Sequence, residues 1–207
     1  MARVLKAEEE GWISEAVAHV RRGNLIVFPT ETVYGIGVSL DIPENIVKLQ
    51  RAKGRDEEKP ITLMAGSVEA ATEYFNFGEK TLAAARKFFP GPLTLVMKRT
   101  DKIPGWFFPG RAKIGLRVPD EPTALALLAA VGELMAVTSA NASKAPPAVN
   151  FETALFYFAN EDEVLIIDGG ESKSSRASTV AEIEGGKVII IRPGPISKEE
   201  LEAAIHG

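Results

Sequence analysis

The sequence contains no cysteine and only two histidines, His19 and His206, which lie far apart along the chain. The lack of cysteine excludes disulfides, a thiolate nucleophile and a cysteine-based metal site. Neither histidine stands in a metal-binding spacing, which argues against a zinc enzyme and against a Ser-His catalytic pair. The sequence therefore predicts chemistry without a metal held by protein ligands.

Long apolar runs and an excess of basic residues are also missing. No apolar segment approaches the ~20 residues of a membrane helix, and the N-terminal residues show no apolar signal region. The chain has 24 basic and 28 acidic side chains, for a net charge of −4. A large nonspecific nucleic-acid footprint is therefore not expected, although a local basic patch remains open. We expect a cytoplasmic protein without a membrane partner.

The chain has 207 residues, 45% of them hydrophobic, which is enough for one sizeable core. We expect residues 1–207 to form one domain. Helix-like and strand-like segments partly alternate, and a hairpin at Glu184-Gly185-Gly186 precedes a capping box of Ser197 and Glu200. This order predicts an α/β fold of the α+β type, with an open twisted mixed sheet of about seven strands and helices packed on it. An amphipathic helix is predicted over 6–22.

The stretch 23–37, GNLIVFPTETVYGIG, combines a buried strand with a polar loop. Residues 25–28 form an apolar, partly β-branched run, and Pro29 ends it because proline cannot donate to a sheet ladder. Thr30, Glu31, Thr32 and Tyr34 follow before two glycines. This pattern is typical of a ligand site at a sheet edge, but it equally fits an ordinary connection between strand and helix.

A second strand, 134–137, also ends in hydroxyl and amide side chains, over residues 138–143. Nearby in sequence, Arg117 is embedded in the apolar strand 113–118. An unpaired buried guanidinium is costly, so Arg117 requires an anionic partner. That partner is either a carboxylate of this chain or a carboxylate of a ligand.

Residues 51–59 crowd basic and acidic side chains together, with the cations at Arg51, Lys53, Arg55 and Lys59. The segment fits a solvated loop of mutually screened charges. It also fits a phosphate-binding loop. A third segment, 101–112, carries three aromatic residues and is expected to pack over its own aromatics rather than to act as a lid or partner contact.

Taken together, the chain resembles the YrdC-like family of threonylcarbamoyl-AMP synthases. The matching motifs follow the family's order: Pro29-Thr-Glu-Thr-Val-Tyr-Gly35, Lys53-Gly-Arg55 with Lys59-Pro-Ile61, Pro90-Gly-Pro-Leu-Thr94, Gly115-Leu-Arg-Val-Pro119, Ser139-Ala-Asn-Ala-Ser143, Ser178-Thr-Val180 and Arg192-Pro-Gly194. Each motif alone is weak evidence, but the seven in series span nearly the whole chain. The resemblance implies a YrdC/RibB-like fold.

The resemblance also implies an activity. Family members make threonylcarbamoyl-AMP and pyrophosphate from L-threonine, bicarbonate and ATP. A downstream threonylcarbamoyl transferase then modifies an adenosine of certain tRNAs. Such a reaction needs no covalent nucleophile, so positioning and charge stabilisation can supply most of the rate.

By resemblance, threonine would be held by Thr32, Arg117, Ser139 and Ser178. ATP would be held by Lys53, Arg55, Lys59, Lys113, Asn141 and Arg192. Of these residues, Lys53, Arg55 and Arg117 are the candidate catalytic residues. Mg²⁺ would be carried with ATP rather than held by the protein.

The sequence departs from the family pattern at Met64, Lys144, Ala148 and Val149. Relatives often have a histidine, a glycine and a Ser/Thr pair at these places. The departures leave open a paralogue of the same fold that uses a different amine. A module that binds tRNA or double-stranded RNA weakly on a concave basic face is the alternative from another functional class.

Overall fold

A computed structural model describes residues 1–54 and 61–206. Arg55 and Lys59 lie outside the described residues. The strands are β1 Arg3–Lys6, β2 Leu25–Phe28, β3 Gly35–Ser39, β4 Thr62–Met64, β5 Leu93–Lys98, β6 Lys113–Arg117, β7 Met135–Ser139, β8 Val164–Asp168, β9 Thr179–Glu184 and β10 Lys187–Arg192. The helices are α1 Trp12–Arg21, α2 Pro43–Lys53, α3 Val68–Ala71, α4 Glu79–Phe88, α5 Pro122–Val131, α6 Phe151–Phe158 and α7 Lys198–His206.

The strands of the described residues form one mixed sheet in the order β1-β8-β2-β3-β7-β4-β6-β5-β9-β10. The pairs β1–β8, β8–β2, β4–β6 and β5–β9 are parallel, and the other neighbours are antiparallel. The predicted mixed α/β architecture is confirmed, with ten strands rather than about seven. In the described ranges, no helix is long and apolar enough to cross a bilayer.

The first additional strand is β1, which falls partly in the segment predicted as helix 6–22. Its residues are mostly exposed and carry no alternating apolar pattern, so the sequence gives no strand signal there. The strand forms because it pairs in parallel with the edge of β8. Helix α1 therefore begins at Trp12 instead of residue 6, and its buried face is Trp12, Ala16, His19 and Val20.

The second additional strand is β3, where Gly35 and Gly37 indicated a loop. Glycine weakens strand propensity, but it is also used where another chain segment approaches closely. A Cβ on Gly35 would lie 3.0 Å from Val137 Cγ1, and one on Gly37 would lie 2.9 Å from Val137 Cγ2. Both glycines therefore make room for the Val137 side chain on the neighbouring strand β7.

The two faces of the sheet bury different side chains, as the twofold periodicity of strands requires. On one face, Ile26 and Phe28 pack in a cluster with α1 and α5. On the other face, Leu25 and Val27 belong to a larger cluster that includes residues of α2, α4, α6 and α7. The first cluster draws on β2, β4, β7 and β8, and the cavity described below lies beside it on the same face.

The C-terminal predictions are confirmed. Strands β9 and β10 pair antiparallel through the two-residue turn Gly185-Gly186, whose φ values of 56° and 77° suit the primed turn of a tight hairpin. The backbone N–H of Ser197 donates to Glu200, and that of Glu200 donates to the Ser197 hydroxyl, at 2.8 and 3.2 Å. The hairpin returns the chain so that Arg192 lies opposite Val180 near the start of β9.

The aromatic segment packs on itself, as expected. Phe107 is buried, with its ring centroid 4.8 Å from that of Phe108 and 6.2 Å from that of Trp106. These rings face Ile46 and Val47 of helix α2 across a small groove. The segment therefore braces α2.

Candidate functional site

A cavity of about 320 Å³ lies on the sheet face that also carries α1 and α5. This volume is within the range of small-molecule sites. Its walls come from segments that are distant in sequence and that include both hydroxyl-rich strand ends. The lining residues are Thr30, Val33, Tyr34, Gly35, Thr62, Met64, Thr94, Arg117, Val137, Thr138, Ser139, Pro147, Ala177, Ser178 and Arg192.

Strand periodicity builds the floor of the cavity. Val137 and Ser139 on β7, and Thr62 and Met64 on β4, lie two residues apart and so share a face. Gly35 pairs with Ser139 across β3 and β7. Because Gly35 has no side chain, it leaves open space above the sheet in this part of the cavity.

Arg117 and the loop after β2 form one wall. The guanidinium Nη2 of Arg117 donates to the Thr32 hydroxyl at 2.8 Å and to the Thr30 hydroxyl at 3.5 Å. The same nitrogen lies 2.8 Å from Glu31 Oε2 in a buried ion pair. Burial lowers the pKa of Arg117 below its ordinary value, and the Glu31 carboxylate opposes that shift. The anionic partner that Arg117 requires is thus a carboxylate of this chain.

The loop around Thr30 is itself well ordered by hydrogen bonds. The Thr30 hydroxyl donates to the Val33 carbonyl at 2.7 Å and lies 2.9 Å from the Thr32 hydroxyl. The backbone N–H groups of Thr32 and Val33 both donate back to the Thr30 hydroxyl, at 3.2 and 3.3 Å. These bonds hold the Thr32 hydroxyl in reach of Arg117 Nη2, beside the cavity rather than in its lining.

Ser178, Thr94 and Arg192 form the facing wall. Arg192 Nη2 donates to the Ser178 carbonyl at 2.9 Å and to its hydroxyl at 3.1 Å, and that hydroxyl lies 2.9 Å from the Thr94 hydroxyl. Burial, and secondarily the positive charge of Arg117, lower the pKa of Arg192. Within the described ranges Arg192 has no carboxylate partner. Two guanidinium groups therefore act on one cavity, and only one of them is neutralised.

A close backbone approach fixes the position of Arg192. A Cβ on Gly194 would lie 2.3 Å from the backbone nitrogen of Thr179, so only glycine fits there. The Thr179 hydroxyl donates to the Ile196 carbonyl at 2.8 Å and accepts from the Ile196 N–H at 2.9 Å. The segment after β10 is thereby fastened to the start of β9, beside Ser178.

Lys53, Ser139 and Asn141 form a third polar group at the end of β7. The Lys53 ammonium donates to the Ser139 carbonyl and, at 3.0 Å, to Asn141 Oδ1. The Ser139 hydroxyl donates to the same Oδ1 at 2.7 Å. The Asn141 amide nitrogen donates to the carbonyls of Ala142 and Ala145 at 2.9 and 2.7 Å. Lys53 is buried, and it reaches the cavity edge through Ser139.

Four of the predicted site residues within the described ranges do not line the cavity: Thr32, Lys53, Asn141 and Lys113. The first three are hydrogen-bonded to residues that line it, whereas Lys113 is not. It begins strand β6 while Arg117 ends it, a separation of roughly 13 Å along the strand. Its ammonium pairs with Glu182 and, at 2.9 Å, with Glu184, and hydrogen bonds to these two carboxylates raise the pKa of Lys113. Lys113 thus lies away from this cavity, and its contact with a nucleotide stays a prediction.

Sequence reasoning assigned no role to several polar residues that line the cavity, among them Thr62, Thr94 and Tyr34. Thr94 lies between Leu93 and Leu95 in β5, and a polar residue inside an apolar strand was the signal that could have identified it. Tyr34 was noted without a role. Its hydroxyl donates to the Gly170 carbonyl at 2.7 Å, and burial raises its pKa to about 12. The Tyr34 hydroxyl thus stays protonated near neutral pH, and its hydrogen bond links the cavity wall to the turn after β8.

Three departures from the family pattern have structural consequences. Met64 lines the cavity with an apolar side chain that is 5% exposed. Lys144 has φ +68°, so it keeps the left-handed backbone that favours glycine. Ala148 is buried and uses its backbone, accepting from the Tyr34 N–H at 2.8 Å and donating to Ala140 at 2.9 Å. At the fourth departure, Val149, the backbone carbonyl accepts from the Ser172 N–H at 2.8 Å.

The charge and donor pattern of the cavity suits anions rather than metals. Within residues 1–54 and 61–206, no group of three or more His, Cys, Asp or Glu side chains could hold a metal ion. Two arginines and several hydroxyls converge instead. Planar guanidinium groups match the geometry of carboxylates and phosphates. The arrangement can therefore orient two anionic groups side by side.

Comparison with known proteins identifies the family. A family model for Sua5, YciO and YrdC, described as "Telomere recombination", matches residues 18–194. The threonylcarbamoyl-AMP synthase of Pyrococcus abyssi is 34% identical over 199 residues, which cover 95% of this chain and 58% of that protein. The crystal structure of P. abyssi Sua5 complexed with L-threonine superimposes with a TM-score of 0.90 at 30% identity, covering all of this chain and 61% of that one.

A third protein shares the fold over its full length. Escherichia coli YciO matches with a TM-score of 0.86 at 24% identity, covering 97% of this chain and 100% of that one. The chain thus spans about 60% of the P. abyssi protein and the whole of YciO. Since the family model covers most of the sequence and the fold agrees throughout, the chain belongs to the Sua5/YciO/YrdC family.

Proposed function

We propose that this protein is a nucleotidyltransferase that makes threonylcarbamoyl-AMP from L-threonine, bicarbonate and ATP and releases pyrophosphate. The observation that carries the proposal is the pair of guanidinium groups, Arg117 and Arg192, on one cavity of suitable size. The names of the relatives support it, because a threonylcarbamoyl-AMP synthase and a threonine-bound structure are among them.

In this proposal the amino acid occupies the Arg117 side of the cavity. Arg117 Nη2 is engaged by Thr32 and Glu31, and Nη1 makes no hydrogen bond to the described residues, which leaves it for the threonine carboxylate. The hydroxyls of Thr32, Ser139 and Ser178 would meet the ammonium and the side-chain hydroxyl of threonine. The apolar walls of Met64 and Val137 would face its methyl group.

ATP would lie on the side of Arg192, Lys53 and Asn141. Arg192 is the cation of this side that lacks a carboxylate partner in the described part of the chain, so it suits a phosphate. Arg55 and Lys59, which fall outside the described residues, remain proposed phosphate contacts from the sequence motif. With no protein cage of acidic ligands among the described residues, Mg²⁺ would come with the triphosphate, where it screens phosphate charge.

The chemistry follows from bringing the two substrates together. The threonine amine and bicarbonate combine to a carbamate with loss of water, and a carbamate oxygen then attacks the α-phosphorus of ATP, with pyrophosphate as the leaving group. No covalent intermediate with the protein is required. The chain's contribution is orientation of the carbamate by Arg117 and stabilisation of phosphate charge by Arg192 and Lys53.

The product is a mixed anhydride of a carbamate and a phosphate, and it is prone to hydrolysis in water. We propose that a downstream threonylcarbamoyl transferase consumes it and moves the threonylcarbamoyl group to tRNA. The alternative of a module for tRNA or double-stranded RNA is weaker. Lys53 is buried and hydrogen-bonded, and Lys113 is paired with two acids, so fewer free cations face solvent than the sequence suggested.

The test is a reaction of the purified protein with L-threonine, bicarbonate and Mg-ATP. We expect pyrophosphate release that requires all three substrates, together with a product of the mass of threonylcarbamoyl-AMP. Salt provides the discriminating control, because phosphate-driven RNA affinity falls steeply with salt while threonine binding should not. Pyrophosphate release that is independent of threonine would contradict the proposal.

A further inference from the structure

Glu31 is a buried carboxylate, and its neighbours compensate only part of the cost of removing its charge from water. Its side chain is 8% exposed, and its Oε1 has no hydrogen-bond donor among the described residues. Its interaction is the ion pair between Oε2 and Arg117 Nη2, at 2.8 Å. Glu31 is also absent from the cavity wall, so it lies behind Arg117.

Fold stability does not explain this pair. Removing two charges from water is expensive, and well-packed apolar residues in place of a buried ion pair are often neutral or stabilising. The pair also leaves Arg117 Nε buried without a partner. A costly, incompletely satisfied pair beside a ligand cavity indicates a functional role.

The pair makes the cavity electrostatically asymmetric. Glu31 cancels the charge of Arg117, whereas Arg192 on the facing wall has no ion pair within residues 1–54 and 61–206. A polyanion is drawn to the side with net charge. A zwitterion such as an amino acid has no net charge, so it depends instead on directional donors such as those of Arg117 and Thr32.

We propose that Glu31 is a specificity-determining residue that cancels the charge of Arg117 and thereby keeps phosphate groups out of the amino-acid half of the cavity. This inference rests on the proposed function, because it requires an amino acid and a nucleotide to share the cavity. Without Glu31, the two arginines would form one strongly cationic site, and phosphates would occupy the place of threonine.

The probe is inorganic pyrophosphate without Mg²⁺, measured by calorimetry alone and in competition with L-threonine. In the wild-type protein, pyrophosphate and threonine bind together. In Glu31→Gln, which keeps the side-chain size and removes the charge, pyrophosphate binds at least about tenfold more tightly and displaces threonine. Threonine affinity without pyrophosphate changes less. Damage to the fold would lower both affinities, so a gain for pyrophosphate is specific to the charge.

Two further variants show whether Glu31 acts through Arg117. The double variant Glu31→Gln/Arg117→Gln removes both charges, and it should lose the gain in pyrophosphate affinity. Glu73→Gln is the matched control, since it removes a carboxylate from an exposed pair with Lys102, 2.5 Å away. It should leave both affinities unchanged.

The outcomes separate the two proposals. If the wild-type protein does not bind threonine, the proposed function fails. If it binds threonine but Glu31→Gln leaves pyrophosphate affinity unchanged, only the present inference is overturned. If Glu31→Gln does not fold, Glu31→Asp is measured instead. Its side chain is one methylene group shorter, so the negative charge lies farther from Arg117 Nη2. A smaller gain in pyrophosphate affinity is then expected, and no gain overturns the inference.

Discussion

Arg192 donates two hydrogen bonds from one nitrogen to Ser178, to its carbonyl at 2.9 Å and to its hydroxyl at 3.1 Å. The contact joins the end of β10 to the residue before β9, and it holds the guanidinium of a largely exposed residue at the cavity. A residue that is both fastened to the wall and lacking a carboxylate in the described structure is placed to receive an anion.

We therefore expect Arg192→Gln to impair ATP use more than threonine binding. Hydrogen bonds to a charged group contribute about 1.5–3 kcal/mol, so KM for ATP should rise about tenfold or more. Steady-state pyrophosphate release at saturating threonine measures this. Arg176→Gln is the control, because Arg176 donates to the Gly194 carbonyl at 3.0 Å from an exposed position. An unchanged KM in Arg192→Gln would remove Arg192 from the ATP side.

Arg117→Ala should abolish product formation and destabilise the fold. The variant leaves Glu31 as a buried carboxylate without its partner, which typically costs about 3–5 kcal/mol in unfolding free energy. Adding Glu31→Gln removes that charge and should restore part of the stability without restoring activity. Urea unfolding and pyrophosphate release, measured on the same samples, separate the two effects. Product formation at the normal rate without Arg117 would exclude it as the carboxylate contact.

The Arg117–Thr32 contact illustrates what the sequence can predict. A guanidinium in an apolar strand requires an anionic partner, which the sequence left as either a carboxylate of this chain or a carboxylate of a ligand. The identity of the anion was not predictable, because the chain has 28 acidic residues and the sequence does not say which one folds behind the strand. Glu31 comes to lie beside Arg117 only through the sheet order, in which β7 and β4 lie between β3 and β6.

Two features that the sequence does not show have a common physical origin, which is that tertiary packing outweighs local signals. Gly35 and Gly37 read as loop residues, yet they form β3 because Val137 fills the space above them. Lys113 shares a strand with Arg117, but four residues of extended chain carry it away from the cavity and toward two glutamates. Sequence spacing alone could not show which end of β6 lies at the cavity.

His19 should make stability depend on pH. Its Nε2 contacts the carbonyls of Leu25 and Glu163 at 3.0 and 3.2 Å, and burial lowers its pKa below 6.5. Between the folded and unfolded pKa values the unfolded chain binds more protons, so this contribution to stability is full above pH 6.5 and is lost as pH falls. Unfolding free energies from pH 8 to pH 5 should show a decline that is smaller in His19→Gln.

The control for this prediction is the other histidine of the chain. His206 is exposed in helix α7, so His206→Gln should retain the wild-type decline. Acidic side chains contribute to acid sensitivity as well, but they do so equally in all three proteins. If His19→Gln and the wild-type protein lose stability in parallel, burial of the neutral imidazole is not the cause.

Tyr34→Phe tests the brace between the cavity wall and the turn after β8. Loss of the hydrogen bond to the Gly170 carbonyl, 2.7 Å long, should cost about 1 kcal/mol in unfolding free energy near neutral pH. At alkaline pH the difference in unfolding free energy between the wild-type protein and Tyr34→Phe should become smaller. Burial raises the pKa of Tyr34 from 10.0 to about 12, so the unfolded phenol ionises first, and the wild-type protein loses stability as pH rises through that range.

Because phenylalanine cannot ionise, Tyr34→Phe should show a shallower alkaline decline, measured by urea unfolding between pH 8 and pH 11. Tyr157→Phe is the matched control, since the Tyr157 hydroxyl also donates to a backbone carbonyl, that of Pro146 at 3.0 Å, but from an exposed position. It should keep the wild-type decline. If Tyr34→Phe declines as steeply as the control, the Tyr34 hydroxyl does not couple folding to alkaline pH. An unchanged unfolding free energy near neutral pH would show that its hydrogen bond to Gly170 is not a structural brace.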